Sequence, residues 1–148
     1  MTRRQESVAA LLRWRAFGES KARERFGSAS AVARAALASA EAADARLTAL
    51  SNRRRDLLSA DALDLARLQT IADFERMAEH ISIECHQSAD SARDAMEQAQ
   101  ADYLHARTAT RSIETRHRRM ATAAADQAEK RAFDQISDLL VQTKGTRR

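Results

Sequence analysis

Proline is absent from this sequence, and glycine occurs only at positions 18, 27 and 145. Because proline interrupts helices and glycine weakens them, the 148 residues offer few points at which a helix must end. Aromatic residues are also scarce, at 4% of the chain, and alanine supplies most of the 44% that is hydrophobic. A compact globular core needs large apolar side chains, so this composition favours long helices that meet along a narrow seam.

The sequence also lacks a disulfide framework and a membrane span. Cys85 is the only cysteine, so no disulfide can form within the chain, and a reducing compartment is expected. No apolar run approaches the roughly 20 residues that cross a bilayer. The short apolar run that ends at Leu12 is followed by Arg13, which is not typical of a secretory signal peptide. We therefore expect a soluble cytoplasmic protein.

The first half of the chain carries a sustained heptad pattern. It predicts a first helix over about residues 3–58, with small and apolar residues in the seam. The predicted seam positions are Phe26, Ala29, Ala33, Ala36, Ala40, Ala43, Leu47, Leu50 and Leu57. An amphipathic face precedes them, formed by Val8, Leu11, Leu12 and either Trp14 or Arg15. Gly18 and Gly27 lower the helix propensity, so a kink or short break within residues 18–28 stays open as an alternative.

The second half repeats the pattern and predicts a second helix over about residues 62–144. One predicted seam row consists of Ile71, Ala78, Cys85, Ala92 and Ala99. The other predicted row consists of Phe74, Ile81, Ser88 and Ala95, and it requires a stutter between Met96 and Tyr103. Beyond the stutter, the stripe is predicted to continue through Tyr103, Ala106, Thr110, Ile113, His117, Met120 and Ala124.

Between the two patterns, helix stop and start signals predict a corner at about residues 59–61. Three arginines at 53–55 occupy the last predicted turn of the first helix, where positive charge meets the negative end of the helix dipole. Ser59 or Asp61 is then expected to cap the second helix through a side-chain oxygen. One unbroken helix without a corner is the alternative.

The two stripes predict an all-α fold: an elongated antiparallel two-helix coiled-coil hairpin that forms a single domain over residues 1–148. With a corner near residue 60, residue i is expected to lie opposite roughly residue 120 − i. The chain beyond about residue 118 then has no intramolecular partner. Its apolar side chains, among them Ile136, Leu139 and Leu140, would need another cover.

Charge is distributed unevenly along this predicted hairpin. Residues 1–25 carry seven basic groups against three acids, and residues 107–119 carry five arginines against Glu114. The hairpin would bring these two basic blocks together, whereas residues 73–102 carry eight acids against two arginines. The end of the hairpin opposite the corner, here called the open end, would therefore be basic. Because like charges repel, a basic open end indicates an acidic partner. Ordinary solvation of charged helix faces is the alternative.

The motifs of an enzyme are missing. The sequence has no glycine-rich phosphate loop, no serine, histidine and aspartate in a strand context, and no metal-ligand spacing. His80 and Glu84 are four residues apart, but two ligands without a third are typical of a surface pair. We therefore expect a non-enzyme without catalytic, cofactor-binding or metal-binding residues. Nucleic-acid binding is not favoured, because few aromatic side chains are available for base stacking.

Three segments resemble the stalk proteins of bacterial type III secretion and flagellar export, the YscO/FliJ family. The first, at residues 8–15, reads VAALLRWR and is similar to the family's opening helix. The second, at residues 63–74, resembles the start of the family's second helix through Leu63, Arg67, Leu68, Ile71 and Phe74. The third, at residues 129–135, reads EKRAFDQ and is similar to the family's ending, with Gln135 where the family has glutamate.

The resemblance implies a non-enzymatic central stalk and regulator of a type III export ATPase, similar to the γ stalk of rotary ATPases. The open end would enter the ATPase hexamer, and the candidate contacts are Arg13, Arg15, Arg107, Arg111, Arg116, Arg118 and Arg119. The corner would face the cytoplasmic domain of the export gate, with Leu68, Ile71 and Phe74 as candidate contacts. Secretion chaperones are further expected partners, and the expected location is the cytoplasmic base of a secretion apparatus.

Two other classes of protein stay open. A coiled-coil scaffold or chaperone-binding adaptor would have no ATPase partner, and a scaffold would dimerise through the free part of helix two. A basic helical protein that binds nucleic acid would show a steep dependence of DNA affinity on salt.

Overall fold

The computed structural model describes residues 3–145, which form two long helices packed against each other. Helix α1 is Arg3–Leu58 and helix α2 is Leu65–Gly145. No strand occurs within residues 3–145. The prediction of an all-α helical hairpin is therefore confirmed.

Helix α1 runs through both of its glycines without interruption, so the alternative of a break within residues 18–28 is wrong. Neither Gly18 nor Gly27 has a positive φ angle. A Cβ atom at either position would meet no other atom within 4 Å. The glycines therefore occupy ordinary exposed helix positions, and the higher helix propensity of the surrounding residues offsets their cost.

The corner comprises residues 59–64 and is longer than the predicted 59–61. Ser59 closes α1 and does not cap α2, because its backbone N–H and its hydroxyl both donate to the carbonyl of Arg55, at 3.1 and 2.8 Å. Asp64 is the N-cap of α2, since its Oδ1 accepts from the backbone N–H of Arg67 at 3.1 Å. The predicted caps, Ser59 and Asp61, are therefore wrong.

The chain forms two compact units, each containing part of both helices. Residues 21–103 form one, here called the corner unit. Residues 3–20 and 104–145 are the described part of the other, here called the terminal unit.

In the corner unit, α1 presents the seam that the sequence predicts. Ala40 and Ala43 are the most deeply buried, at 0% and 4% exposed, and the other predicted positions of α1 are half-buried. On α2, Ile71 is buried and the rest of its predicted row is half-buried. Alanine at the centre of the seam lets the two backbones approach closely.

The second predicted row of α2 is wrong. Phe74, Ile81, Ser88 and Ala95 are all exposed, and the buried or half-buried row lies one residue further along: Glu75, Ser82, Ala89, Met96 and Tyr103. With this row, the spacing of three and four continues from Ile71 to Met120, and the predicted stutter does not exist. Glu75 and Ser82 lie in the seam because each has a polar partner on α1.

Pairs across the seam give the register of the corner unit. Arg54 Nη1 donates to Glu75 Oε2 at 2.8 Å, and Ser82 Oγ donates to Asp44 Oδ1 at 2.6 Å. The rings of Phe26 and Tyr103 stack with their centroids 6.2 Å apart. Lower residue numbers on α1 therefore meet higher numbers on α2, so the helices are antiparallel. Each partner lies beyond the position that the predicted register gives, and the corner that joins the helices is also longer than predicted.

In the terminal unit, α1 and α2 meet through half-buried side chains that include Val8, Leu12, Ile113, His117 and Met120. Thr110 is 4% exposed, and its hydroxyl bonds the carbonyls of Ala106 and Arg15, at 3.0 and 3.4 Å. All residues from 121 to 136 are exposed, including Ala124, which the predicted stripe wrongly placed in the seam. The exposure of residues 121–136 agrees with the expectation that α1 does not cover this part of α2.

Candidate functional site

A group of exposed arginines on α2 of the terminal unit is the first candidate site. This basic cluster consists of Arg107, Arg111, Arg116, Arg118 and Arg119. Helical spacing places Arg107, Arg111 and Arg118 along one side of α2, whereas Arg116 and Arg119 lie along another. The positive charge therefore covers two sides of the helix and does not form one flat patch.

Within the described residues, no arginine of the basic cluster forms an ion pair. All ion pairs that the structure shows among residues 3–145 join residues of the corner unit. Glu114, the one acid between Arg107 and Arg119, is half-buried and pairs with none of them. Repulsion within the basic cluster is therefore reduced only by water and salt.

Helix α1 adds Arg13 and Arg15 to this region. Arg13 is exposed, whereas Arg15 is half-buried, with its guanidinium carbon 5.0 Å from the centroid of the Trp14 ring. The Nε of Arg15 is buried and has no hydrogen-bond partner within residues 3–145. The bond from Thr110 to the carbonyl of Arg15 places this part of α1 beside the stretch of α2 that holds Arg107 and Arg111. The structure thus brings together both parts of the predicted basic site.

An exposed apolar stripe on α1 was missed by the sequence analysis. Leu11 is 43% exposed, and Trp14 and Phe17 are each 63% exposed. Leu11 was expected on the buried face but is exposed, and of the alternatives Trp14 and Arg15 it is Arg15 that turns inward. The three-residue spacing of Leu11, Trp14 and Phe17 is a sequence signal that these side chains lie near one another on α1. It does not indicate that they are exposed, because large apolar side chains are expected to be buried.

The residues proposed for the export gate lie beside the corner but differ in exposure. Ile71 is 8% exposed and belongs to the seam, and Leu68 is half-buried. Phe74 is 53% exposed and, together with Ile71, lines an open groove formed with Leu50, Leu57, Arg53, Arg67 and other residues. Of the three, Phe74 therefore offers the largest accessible surface to a partner.

A polar network that no sequence signal indicated connects the helices in the corner unit. Asp44 on α1 accepts from the Ser82 hydroxyl, and its Oδ2 lies 2.8 Å from Nε2 of His86. The hydrogen bond from Ser82, followed by that from His86, lowers the pKa of Asp44 below its usual value of 3.8. Because the hydroxyl is bonded to the carboxylate and not to the imidazole, this geometry does not have the serine–histidine–aspartate order in which the imidazole is the general base of the serine. The network instead joins the two helices.

The described residues contain neither a candidate metal site nor a membrane-spanning helix. No group of three or more histidine, cysteine, aspartate or glutamate side chains within residues 3–145 could hold a metal ion. None of the helices, as far as the structure describes them, is long and apolar enough to cross a membrane. No protein-family model, curated protein or solved structure matches this chain.

Proposed function

We propose that the chain is a non-enzymatic central stalk and regulator of a type III export ATPase. In this proposal, the basic cluster with Arg13 and Arg15 enters the ATPase ring, and the corner contacts the cytoplasmic domain of the export gate. Secretion chaperones are further partners of the same protein.

One observation carries this proposal: the arginines of the basic cluster lack ion pairs, although the corner unit pairs many of its charges. A surface lined with carboxylates would relieve their mutual repulsion and accelerate encounter by electrostatic attraction. A pair of packed helices is also narrow enough for a pore at the centre of a ring. The resemblance of residues 8–15, 63–74 and 129–135 to the YscO/FliJ family supports an ATPase as the acidic partner.

The experiment measures ATP hydrolysis by a purified type III export ATPase from the same organism, with and without the full chain. We expect the wild-type chain to stimulate turnover or ring assembly, and higher salt to weaken the effect. Arg116→Glu combined with Arg119→Glu should remove most of the stimulation. The matched control is Arg34→Glu combined with Arg46→Glu, which makes the same charge change at exposed positions of the corner unit. Indifference of the ATPase to both the wild type and the double reversal would exclude the stalk.

A coiled-coil scaffold is the second candidate, and the exposed apolar residues of α2 favour it. Phe133, Ile136 and Leu139 are 70%, 58% and 61% exposed, on the part of α2 that extends beyond the seam. A scaffold would cover them with a second copy of the chain, whereas a stalk would be a monomer on its own. Sedimentation equilibrium separates the two: a dimer that Ile136→Glu converts to a monomer would favour the scaffold.

A further inference from the structure

We propose that the exposed stripe of α1, formed by Leu11, Trp14 and Phe17, binds the surface of a membrane that contains anionic phospholipids. This activity goes beyond the stalk function: it uses the apolar stripe, which the stalk proposal does not use, and it shares only Arg13 and Arg15 with that proposal. It requires contact with the headgroup region only, and no part of the chain needs to cross the bilayer.

The apolar part of this surface is the stripe itself. Trp14 presents 63% of its surface to solvent, on the side of α1 away from the half-buried Val8 and Leu12. Leu11 and Phe17 lie one turn before and one turn after it. The stripe therefore forms a raised apolar ridge on the outside of one helix.

The charged part consists of the arginines around this ridge. Positions 3, 7, 10, 14 and 17 are spaced by four and three residues and share one side of α1, and none of them is acidic. Arg3 lies on this side, Arg4, Arg13 and one acid, Glu6, adjoin it, and Arg15 stacks against Trp14. None of these four arginines forms an ion pair within the described residues. Their charge is thus complementary to phosphate headgroups.

A bilayer surface fits this combination better than a protein groove does. Indole and phenyl rings are stable at the level of the lipid headgroups, where arginines beside them reach the phosphates. A ridge on a helix needs a matching groove in a protein partner, but it can enter the deformable headgroup layer directly. Three apolar side chains bury too little area to hold the chain on a membrane by themselves. Binding therefore also requires attraction between the arginines and anionic lipid.

The test uses Trp14, which is the only tryptophan of the chain and therefore reports on the stripe without a label. The full chain is titrated with phosphatidylcholine vesicles that contain phosphatidylglycerol and with vesicles of phosphatidylcholine alone. We expect a blue shift of the Trp14 emission with the anionic vesicles, little shift with the neutral ones, and loss of the shift at high salt. Phe17→Ala should weaken partitioning about tenfold. Val32→Ala, at an apolar position 60% exposed in the corner unit, should leave it unchanged.

Three results would overturn the proposal. Trp14 emission that does not respond to anionic vesicles would show that the stripe stays in water. Co-sedimentation with vesicles that is insensitive to Phe17→Ala and occurs without a blue shift would place the contact elsewhere on the chain. A blue shift produced by poly-L-glutamate but not by anionic vesicles would identify the stripe as a surface for an acidic protein.

Discussion

Arg54 of α1 and Glu75 of α2 form an ion pair across the seam, with Nη1 and Oε2 2.8 Å apart. The side chain of Glu75 is 7% exposed and that of Arg54 is 50% exposed, so a buried carboxylate meets a partly solvated guanidinium. The second oxygen of Glu75, Oε1, has no hydrogen-bond partner within residues 3–145. Because the carboxylate is costly to bury without Arg54, the pair favours this alignment of the helices over others.

This arrangement predicts an asymmetric result in a double-mutant cycle. Arg54→Met should lower the free energy of unfolding by about 1–3 kcal/mol, because it leaves Glu75 buried without its partner. Replacing both residues with methionine should recover most of that loss. Urea unfolding followed by circular dichroism measures each variant, with Arg53→Met as the exposed control. A double variant no more stable than Arg54→Met would show that Glu75 does not need Arg54.

The network around Asp44 predicts a dependence of stability on pH. Since folding lowers the pKa of Asp44, its hydrogen bonds stabilise the folded state above pH 3.8, and this contribution is lost as the pH falls further through the folded-state pKa. Asp44→Asn should therefore lose less stability than the wild type between about pH 5 and pH 2. Asp61→Asn, in the exposed corner, should keep the wild-type profile. Parallel profiles for Asp44→Asn and the wild type would contradict the assignment.

The close approach of the helices at Ala40 predicts that a large charged side chain there is not tolerated. Ala40 is 0% exposed, so Ala40→Glu combines overpacking with burial of a carboxylate and should lower stability by about 2–4 kcal/mol. Ala38 is exposed on the same helix, and Ala38→Glu should change stability by less than about 0.5 kcal/mol. Thermal unfolding compares the two variants, and equal losses would mean that Ala40 does not lie in the seam.

The sequence predicts well those parts of the fold in which small or apolar residues repeat every seven positions. The seam of α1 and the row that begins at Ile71 follow from that repeat, whereas the end of α1 follows from the stop signals at residues 53–55. The second row of α2 could not be found in this way, because Phe74 and Ile81 are apolar but exposed, whereas Glu75 and Ser82 are polar but buried. Arg54 and Asp44 on α1 are the polar partners that allow Glu75 and Ser82 to lie in the seam. These pairs can be identified only once the register of the two helices is known.

The candidate sites show the same division. The arginines of the basic cluster are recognisable from the sequence, because their clustering needs only the residue order. Their lack of ion pairs and the outward orientation of Trp14 depend on which side of each helix meets the other. The bond from the Thr110 hydroxyl to the carbonyl of Arg15 is one contact between these sides that no periodicity indicates.

The continuous path of α1 through Gly27 predicts a gain in stability on substitution. Gly27 is exposed, has no positive φ, and a Cβ there meets no atom within 4 Å. Gly27→Ala should therefore raise the free energy of unfolding by up to about 1 kcal/mol, because alanine loses less backbone entropy in a helix. Urea unfolding measures the difference. A loss of stability would mean that the chain needs flexibility at this position.

The contrast between Ile71 and Phe74 predicts which residue holds the fold and which is free to meet a partner. Ile71 is 8% exposed, so Ile71→Ala should lower stability by about 2–3 kcal/mol. Phe74 is 53% exposed, and Phe74→Ala should cost less than about 1 kcal/mol. If both variants lose the same stability, the assignment of Phe74 to the outside of the seam is wrong.

Binding then separates a surface role of Phe74 from a structural one. If the corner contacts the export gate, Phe74→Ala should weaken binding to the purified cytoplasmic domain of the gate by about tenfold while helicity is unchanged, because an exposed aromatic side chain in a contact loses its buried area. Isothermal titration calorimetry measures this affinity. Phe133→Ala removes an even more exposed ring, 70% against 53%, from the terminal unit and is the control. Unchanged affinity in a stable Phe74→Ala variant would remove Phe74 from the proposed gate contact and leave the groove beside the corner without that role.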